Sequence, residues 1–209
     1  MLFVKTPVLI MKLFPELIWH FATRGNREDN KIYLTFDDGP TPEVTPWVLD
    51  NLRKYDAKGT FFCLGRNVDR YPDIYRQIRQ EGHAVGNHTY SHLKGSTTRN
   101  SEYINDIELA GHDIDSKLFR PPYGRFKKSQ IRELRKDYKI VMWNVLSGDY
   151  DPKINPEKCY SNISENIRPG SIIVFHDSFK AWDNLYHTLP NMLERYSGDY
   201  RFVPIPESA

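Results

Sequence analysis

Two cysteines in 209 residues are too few for a disulfide framework. Cys63 lies in the apolar run TFFCLG and reads as a small core residue, while Cys159 falls in a polar helical stretch. A reduced, intracellular protein accounts for both. A surplus of one charge is also missing: the formal net charge is +2, which gives no electrostatic reason to expect nucleic acid. Low-complexity tracts and internal repeats are absent. So is any long hydrophobic run. The N-terminal stretch MLFVKTPVLIMKLFPELIWHFATRGNREDN is rich in Leu, Ile, Phe and Trp, but Lys5, Lys12 and Glu16 interrupt it. Its uncharged runs reach only about seven residues, against the roughly 20 that span a bilayer. No small-x-small cleavage site follows, so the stretch does not read as an export signal. The expectation is a segment, residues 1–30, packed on the domain of a cytoplasmic protein. The alternative is peripheral membrane contact through residues 1–21, with Lys5, Lys12 and Arg24 on the polar side.

What is present is the composition of a globular protein, 39% hydrophobic and 27% charged. The length suits one large domain, taken as residues 31–209. Four Trp, 13 Tyr and 11 Phe supply a core, and sugar-binding clefts also draw on such residues. Apolar runs near 31–37, 59–64, 83–86, 118–120, 139–143, 171–175 and 201–204 read as strands. Most are continuously apolar rather than alternating, as in parallel strands covered on both faces. Helical patterns fall between them. One is TPEVTPWVLDNLRKYD, with Thr41 as its expected N-cap; another is PDIYRQIRQEG, ending at Gly82. Such alternation means an α/β fold with right-handed crossovers. About seven parallel strands are one short of a closed (β/α)8 barrel. The spacing therefore predicts a distorted or incomplete (β/α) barrel, with a doubly wound open sheet as the second choice.

The run YLTFDDGPTP ends in two adjacent carboxylates, Asp37 and Asp38, before a turn forced by Gly39 and Pro40. Like charges this close raise one another's pKa, so something positive is needed nearby. The other polar residues that follow strands are His88 and His92 in GNHTYSH, Arg120 in FRPPYG, Asp149 in WNVLSGDYD and His176 in IIVFHDS. In parallel α/β folds the C-terminal strand ends share one face, which brings these distant residues together. His88 and His92 are spaced i, i+4, so on one helical turn their rings point the same way. Two His with one Asp form a catalytic-type metal set that leaves a position open for water. A dication there supplies the missing positive charge, with one aspartate as ligand and the other free as a base. Arg120 is placed to clamp Asp37. His176 is a candidate general acid oriented by Asp149, and Asp177 reads as the start of the following turn. Tyr123 and Gly124 offer a main-chain N–H to an oxyanion. Trp143 is a further candidate on the substrate side.

TFDDGP, HTYSH, RPPYG, SGDY and IIVFH stand in the order and spacing of the NodB-homology polysaccharide deacetylases, carbohydrate esterase family 4, and the chain resembles that family from about Lys31 to His176. The resemblance implies a metal-dependent hydrolase that removes N-acetyl, or sometimes O-acetyl, groups from an acetylated carbohydrate. It makes Asp37 the base, Asp38, His88 and His92 the metal triad, Arg120 the clamp, and His176 the acid tuned by Asp149. The metal expected is zinc, with cobalt or nickel as alternatives. Two motifs depart from the family pattern. Leu146 and Tyr150 replace the first Asp and the Trp of Asp-x-x-Asp-Trp, and Val174 stands where leucine lines the acetyl-methyl pocket. The rival readings are an amidohydrolase of a non-sugar amide or imide on the same scaffold, and a noncatalytic metal- or glycan-binding protein.

Overall fold

The computed structural model describes residues 3–23 and 30–207. The chain runs through helix α1 (Val8–Leu13), strand β1 (Lys31–Asp37), α2 (Val44–Lys54), β2 (Gly59–Cys63), α3 (Gly65–Arg70), α4 (Pro72–Gln80) and β3 (Ala84–Asn87). It continues through α5 (Asn100–Gly111), β4 (Leu118–Phe119), α6 (Lys128–Leu134), β5 (Lys139–Ile140), β6 (Val145–Leu146), α7 (Pro156–Ser164), β7 (Ile172–His176), α8 (Trp182–Tyr196) and β8 (Arg201–Phe202). The strands are ordered β5-β4-β3-β2-β1-β7-β6, every pair parallel. β8 pairs in parallel with the first two residues of β1, below the point where β2 begins its own pairing. This is the expected α/β half-barrel, a distorted (β/α) barrel with seven parallel strands along its wall.

Alternation along the strands separates two cores. Ile32, Leu34 and Phe36 of β1 join Phe61, Ile173 and Phe175 beneath the helices. Tyr33 of β1 joins Phe62, Leu118, Ile172 and Val174 inside the barrel. Both faces are buried, which is why these strands read as unbroken apolar runs. The Phe36 ring stacks on Phe61 at 4.9 Å and on Phe175 at 5.9 Å. Each such side chain contributes about 1.5–3 kcal/mol on burial. Thr35 and Asp37 project to the same side as Tyr33, so β1 carries polarity into the barrel only at its C-terminal end.

The sequence expectation of one strand over 139–143 is corrected. Only Lys139–Ile140 pairs with β4, and a second short strand, β6, forms at Val145–Leu146 against β7. The seam between them is covered by the N-terminal residues. Ile18 pairs in parallel with Val141, and Lys5 and His20 pair antiparallel with Val145 and Ser171. Leu17 and Trp19 are buried in the barrel-side core, whereas Val8, Leu9 and Leu13 of α1 are exposed. Arg24 lies outside the described residues. No helix among the described residues is long and apolar enough to cross a membrane.

Candidate active site

β1 and β7 pair in register so that Asp37 lies opposite His176, and this sets the two sides of the site. Arg120, just past β4, is fully buried. Its Nη1 donates to Asp37 Oδ1 and to Thr35 Oγ1, each at 2.7 Å. Nε and Nη2 donate to the carbonyls of Val141 and Met142 at 3.2 and 3.0 Å, and the guanidinium lies 4.1 Å from the Phe62 ring centroid. Burial lowers the Arg120 pKa, with the charge and hydrogen bond of Asp37 working the other way. A buried cation survives only when it is well bonded, and four hydrogen bonds hold this one. Asp37 is thereby held beside, and not within, the neighbouring cluster of His and Asp.

That cluster is Asp38, His88 and His92, whose ligand atoms all lie within 4.8 Å of one another. Asp38 Oδ1 sits 3.1 Å from His92 Nε2 and 3.8 Å from His88 Nε2. His88 Nδ1 faces the Arg120 carbonyl at 2.7 Å; a carbonyl only accepts, so Nδ1 carries the proton and the Nε2 lone pair points into the cluster. Burial pushes His88 down to about 4, leaving the ring neutral. Burial works against the Asp38 carboxylate, but the close His92 ring and the nearby His charges hold it well below the usual carboxylate range. Asp38 Oδ1 is buried with no hydrogen bond of its own. One carboxylate oxygen and two imidazole nitrogens aimed at a common point fit a divalent first-row cation.

The histidine pair is not on a helical turn, as its spacing had suggested. Residues 88–92 form an irregular loop in which Thr89 and His92 have positive φ (66° and 63°), as has Asp38 (80°). Side chains impose this path. Asn87 Oδ1 accepts from Thr89 N at 2.8 Å, and Asp106 Oδ2 accepts from Tyr90 N and Ser91 N at 3.0 and 2.9 Å. Such sparsely populated conformations cost of order 1–3 kcal/mol each and persist only where surroundings dictate them.

On the far side, Asp149 is buried and holds His176 through both the ring and the main chain. Burial opposes a charged imidazole, yet the charge and hydrogen bond of Asp149 prevail and push His176 up to about 9. Asn184 donates to the Asp149 carbonyl at 3.0 Å, and the Tyr150 ring meets His176 edge-on at 4.8 Å. Tyr123 stands in a tight turn over Pro122–Gly124 with φ 61°, its hydroxyl 3.1 Å from His92 Nδ1. Gly124 is required there, because a Cβ would lie 2.6 Å from the Trp143 ring. Trp143 itself is largely buried behind that turn, and Val174 is covered in the barrel interior two residues below His176.

Two positions differ from what the sequence suggests. Thr41 does not cap α2 with its side chain: Glu43 occupies that position, and Thr41 N instead donates to Thr45 Oγ1 at 2.7 Å. Asp177 does more than start a turn. It is fully buried, accepts from Gly39 N at 3.1 Å and lies 2.5 Å from Thr45 Oγ1. A Cβ on Gly39 would fall 2.0 Å from the Asp177 carboxyl, so the turn after Asp38 is built around this acid.

The polysaccharide deacetylase family model matches residues 24–143. A peptidoglycan-N-acetylglucosamine deacetylase of Bacillus cereus is 36% identical over 167 residues, 76% of this chain and 60% of that protein. A chitooligosaccharide deacetylase of Azorhizobium caulinodans is 38% identical over 165 residues, 75% of this chain and 78% of that one. Among solved structures, the Bc1960 peptidoglycan N-acetylglucosamine deacetylase in complex with 4-naphthalen-1-yl-N-oxidanyl-benzamide superposes with TM-score 0.82 at 31% identity, covering 96% of this chain and 95% of that chain. On these matches the chain belongs to the polysaccharide deacetylase family.

Proposed function

We propose that this protein hydrolyses the N-acetyl group of an N-acetylglucosamine-containing polymer or oligomer, with Asp37 as base and His176 as acid. The observation that carries this reading is the division of labour between adjacent aspartates. Asp38 converges with His88 and His92, while Asp37 is turned to Arg120 and faces His176 across the β1–β7 register. Pure metal binding needs no such base and acid beyond the ligands. The names of the relatives, directed at peptidoglycan and at chitooligosaccharides, support a polymer of N-acetylated amino sugar.

Asp38, His88 and His92 would hold the cation, zinc in this reading, with cobalt or nickel as substitutes. When bound, such a cation supplies Lewis-acid polarisation and lowers the pKa of water toward about 7. Asp37, fixed by Arg120, takes the proton from water as it attacks the acetyl carbon. The main-chain N–H of Tyr123, in a turn closed by Gly124 N donating to the Pro121 carbonyl at 3.0 Å, stabilises the developing oxyanion. His176, protonated at neutral pH, gives its proton to the sugar nitrogen, which leaves only as the amine. Asp149 keeps the imidazole in the orientation and charge state that this needs.

The test is acetate release from N-acetylglucosamine oligomers, monomer to pentamer, by protein treated with chelator and then reloaded with zinc, cobalt or nickel. Release abolished by chelator and restored by metal supports the reading. No release from any oligomer by protein shown to hold metal refutes it in favour of a non-sugar amide.

A further inference from the structure

A cleft of about 330 Å³ opens beside the triad, lined by Asp38 and His92 of the triad and by Arg66, Arg70 and Lys180. We infer that this cleft binds an oxyanion carried on the sugar chain, a carboxylate or a phosphate, through Arg66, Arg70 and Lys180. The inference rests on the deacetylase reading and names a substituent its substrate carries. Three features lead to it. The first is uncompensated charge. Among the described residues none of Arg66, Arg70 and Lys180 forms an ion pair with a carboxylate, so their charge is free for a ligand. Among the described residues Asp38 is the one acid lining the cleft, and it is committed to the triad. The second is placement. Arg66 and Arg70 stand i, i+4 on α3, where like charges repel and weaken a helix. Yet α3 is pinned to the site, since Asn67 Nδ2 donates to the Asp38 carbonyl at 2.8 Å. The third is orientation. The Lys180 ammonium lies 5.4 Å from the Tyr150 ring centroid, and that ring packs on His176; the Arg70 guanidinium lies 5.6 Å from the Tyr71 ring. A neutral N-acetylated sugar makes no use of three cations lining one cleft. An anionic substituent next to the acetamide does, and it is held by charge-assisted hydrogen bonds.

The experiment compares three substrates of one chain length: plain, O-carboxymethylated and O-phosphorylated N-acetylglucosamine tetramers. Metal-loaded wild type is set against Arg66→Gln/Arg70→Gln/Lys180→Gln. In wild type an anionic tetramer is expected to show the higher kcat/KM, an advantage that shrinks in about 0.5 M salt. The triple substitution is expected to cut the charged-to-plain ratio at least tenfold, chiefly through KM. The preferred anionic tetramer tells carboxylate from phosphate. A ratio that the substitution leaves unchanged, or charged and plain substrates losing activity together, overturns the inference. Calorimetry with the same tetramers separates it from the deacetylase reading. If nothing is turned over, charge-dependent binding that the triple substitution removes still supports an oxyanion site, and no binding to wild type refutes it.

Discussion

Asp149 grips His176 at two points: Oδ1 lies 2.8 Å from ring Nδ1, and Oδ2 accepts the main-chain N–H at 2.7 Å. The first contact favours the charged imidazole, and the second fixes where the ring leaves the strand. Together they push His176 up to about 9 from an ordinary 6.5. A group that works as an acid is lost as pH rises through its pKa. Asp149→Asn removes the charge while keeping the shape, so the basic limb of kcat/KM is expected to move from about 9 toward 6.5. Activity at pH 8 then falls more than activity at pH 6. A pH–rate profile of both proteins checks it, and a basic limb that stays in place would show that His176 is not the acid.

Arg120 and Asp37 form a buried ion pair, with Arg120 wholly enclosed and Asp37 only 4% exposed toward the site. Arg120→Gln leaves the Asp37 carboxylate buried without a cation, which typically costs about 3–5 kcal/mol. Adding Asp37→Asn removes the orphaned charge, so the double variant is expected to be more stable than Arg120→Gln alone. Urea unfolding of the four proteins in the cycle measures the coupling. Simple additivity would mean that the pair does not act as a unit. In turnover, Asp37→Asn is expected to lose about 10²–10⁴-fold while still binding metal.

The hydroxyl of Tyr123 supports His92 from behind, 3.1 Å from Nδ1. Partners of this kind fix the orientation of a ligand ring, and losing one typically weakens metal affinity about 10–100-fold. Tyr123→Phe is expected to fall in that range by competition with a zinc-binding dye. His88→Ala removes a ligand and is expected to abolish stoichiometric binding. Equal affinity in Tyr123→Phe and wild type would place the support of His92 elsewhere.

Asp37, His88, Arg120 and His176 were legible because each ends or follows a strand whose unbroken apolar run marks it as buried, and parallel strands deliver their C-terminal ends to one face. β6 was not legible. Val145 and Leu146 alone are too short to show a period, and they are strand only because β7 and the N-terminal residues flank them. The loop carrying the two histidines misled for a similar reason: i, i+4 spacing is a local signal, but hydrogen bonds from Asn87 and Asp106 override it. The role of Asp177 was hidden as well, since nothing in the sequence pairs it with Gly39 and Thr45, more than a hundred residues away.

Asp177 also gives the stability of the fold a pH dependence of unusual sign. Burial, with the charges of Asp38 and Asp37 nearby, pushes its carboxyl up to about 8 from an ordinary 3.8, and the Thr45 hydroxyl offsets only part of this. Between those values the unfolded chain has released the proton and the native chain still holds it. Stability therefore falls as pH rises through that window, and levels off above about 8. Asp177→Asn cannot ionise, yet its side-chain oxygen can still accept from Gly39 N. Relative to wild type, the variant is expected to gain stability steadily from pH 5 to pH 8. Urea unfolding of both proteins, chelator-treated so that metal occupancy does not enter, reads this difference directly. A gap that stays constant with pH would show that Asp177 is ionised in the native state, and that the Gly39 turn is held by a buried anion and not by a neutral acid.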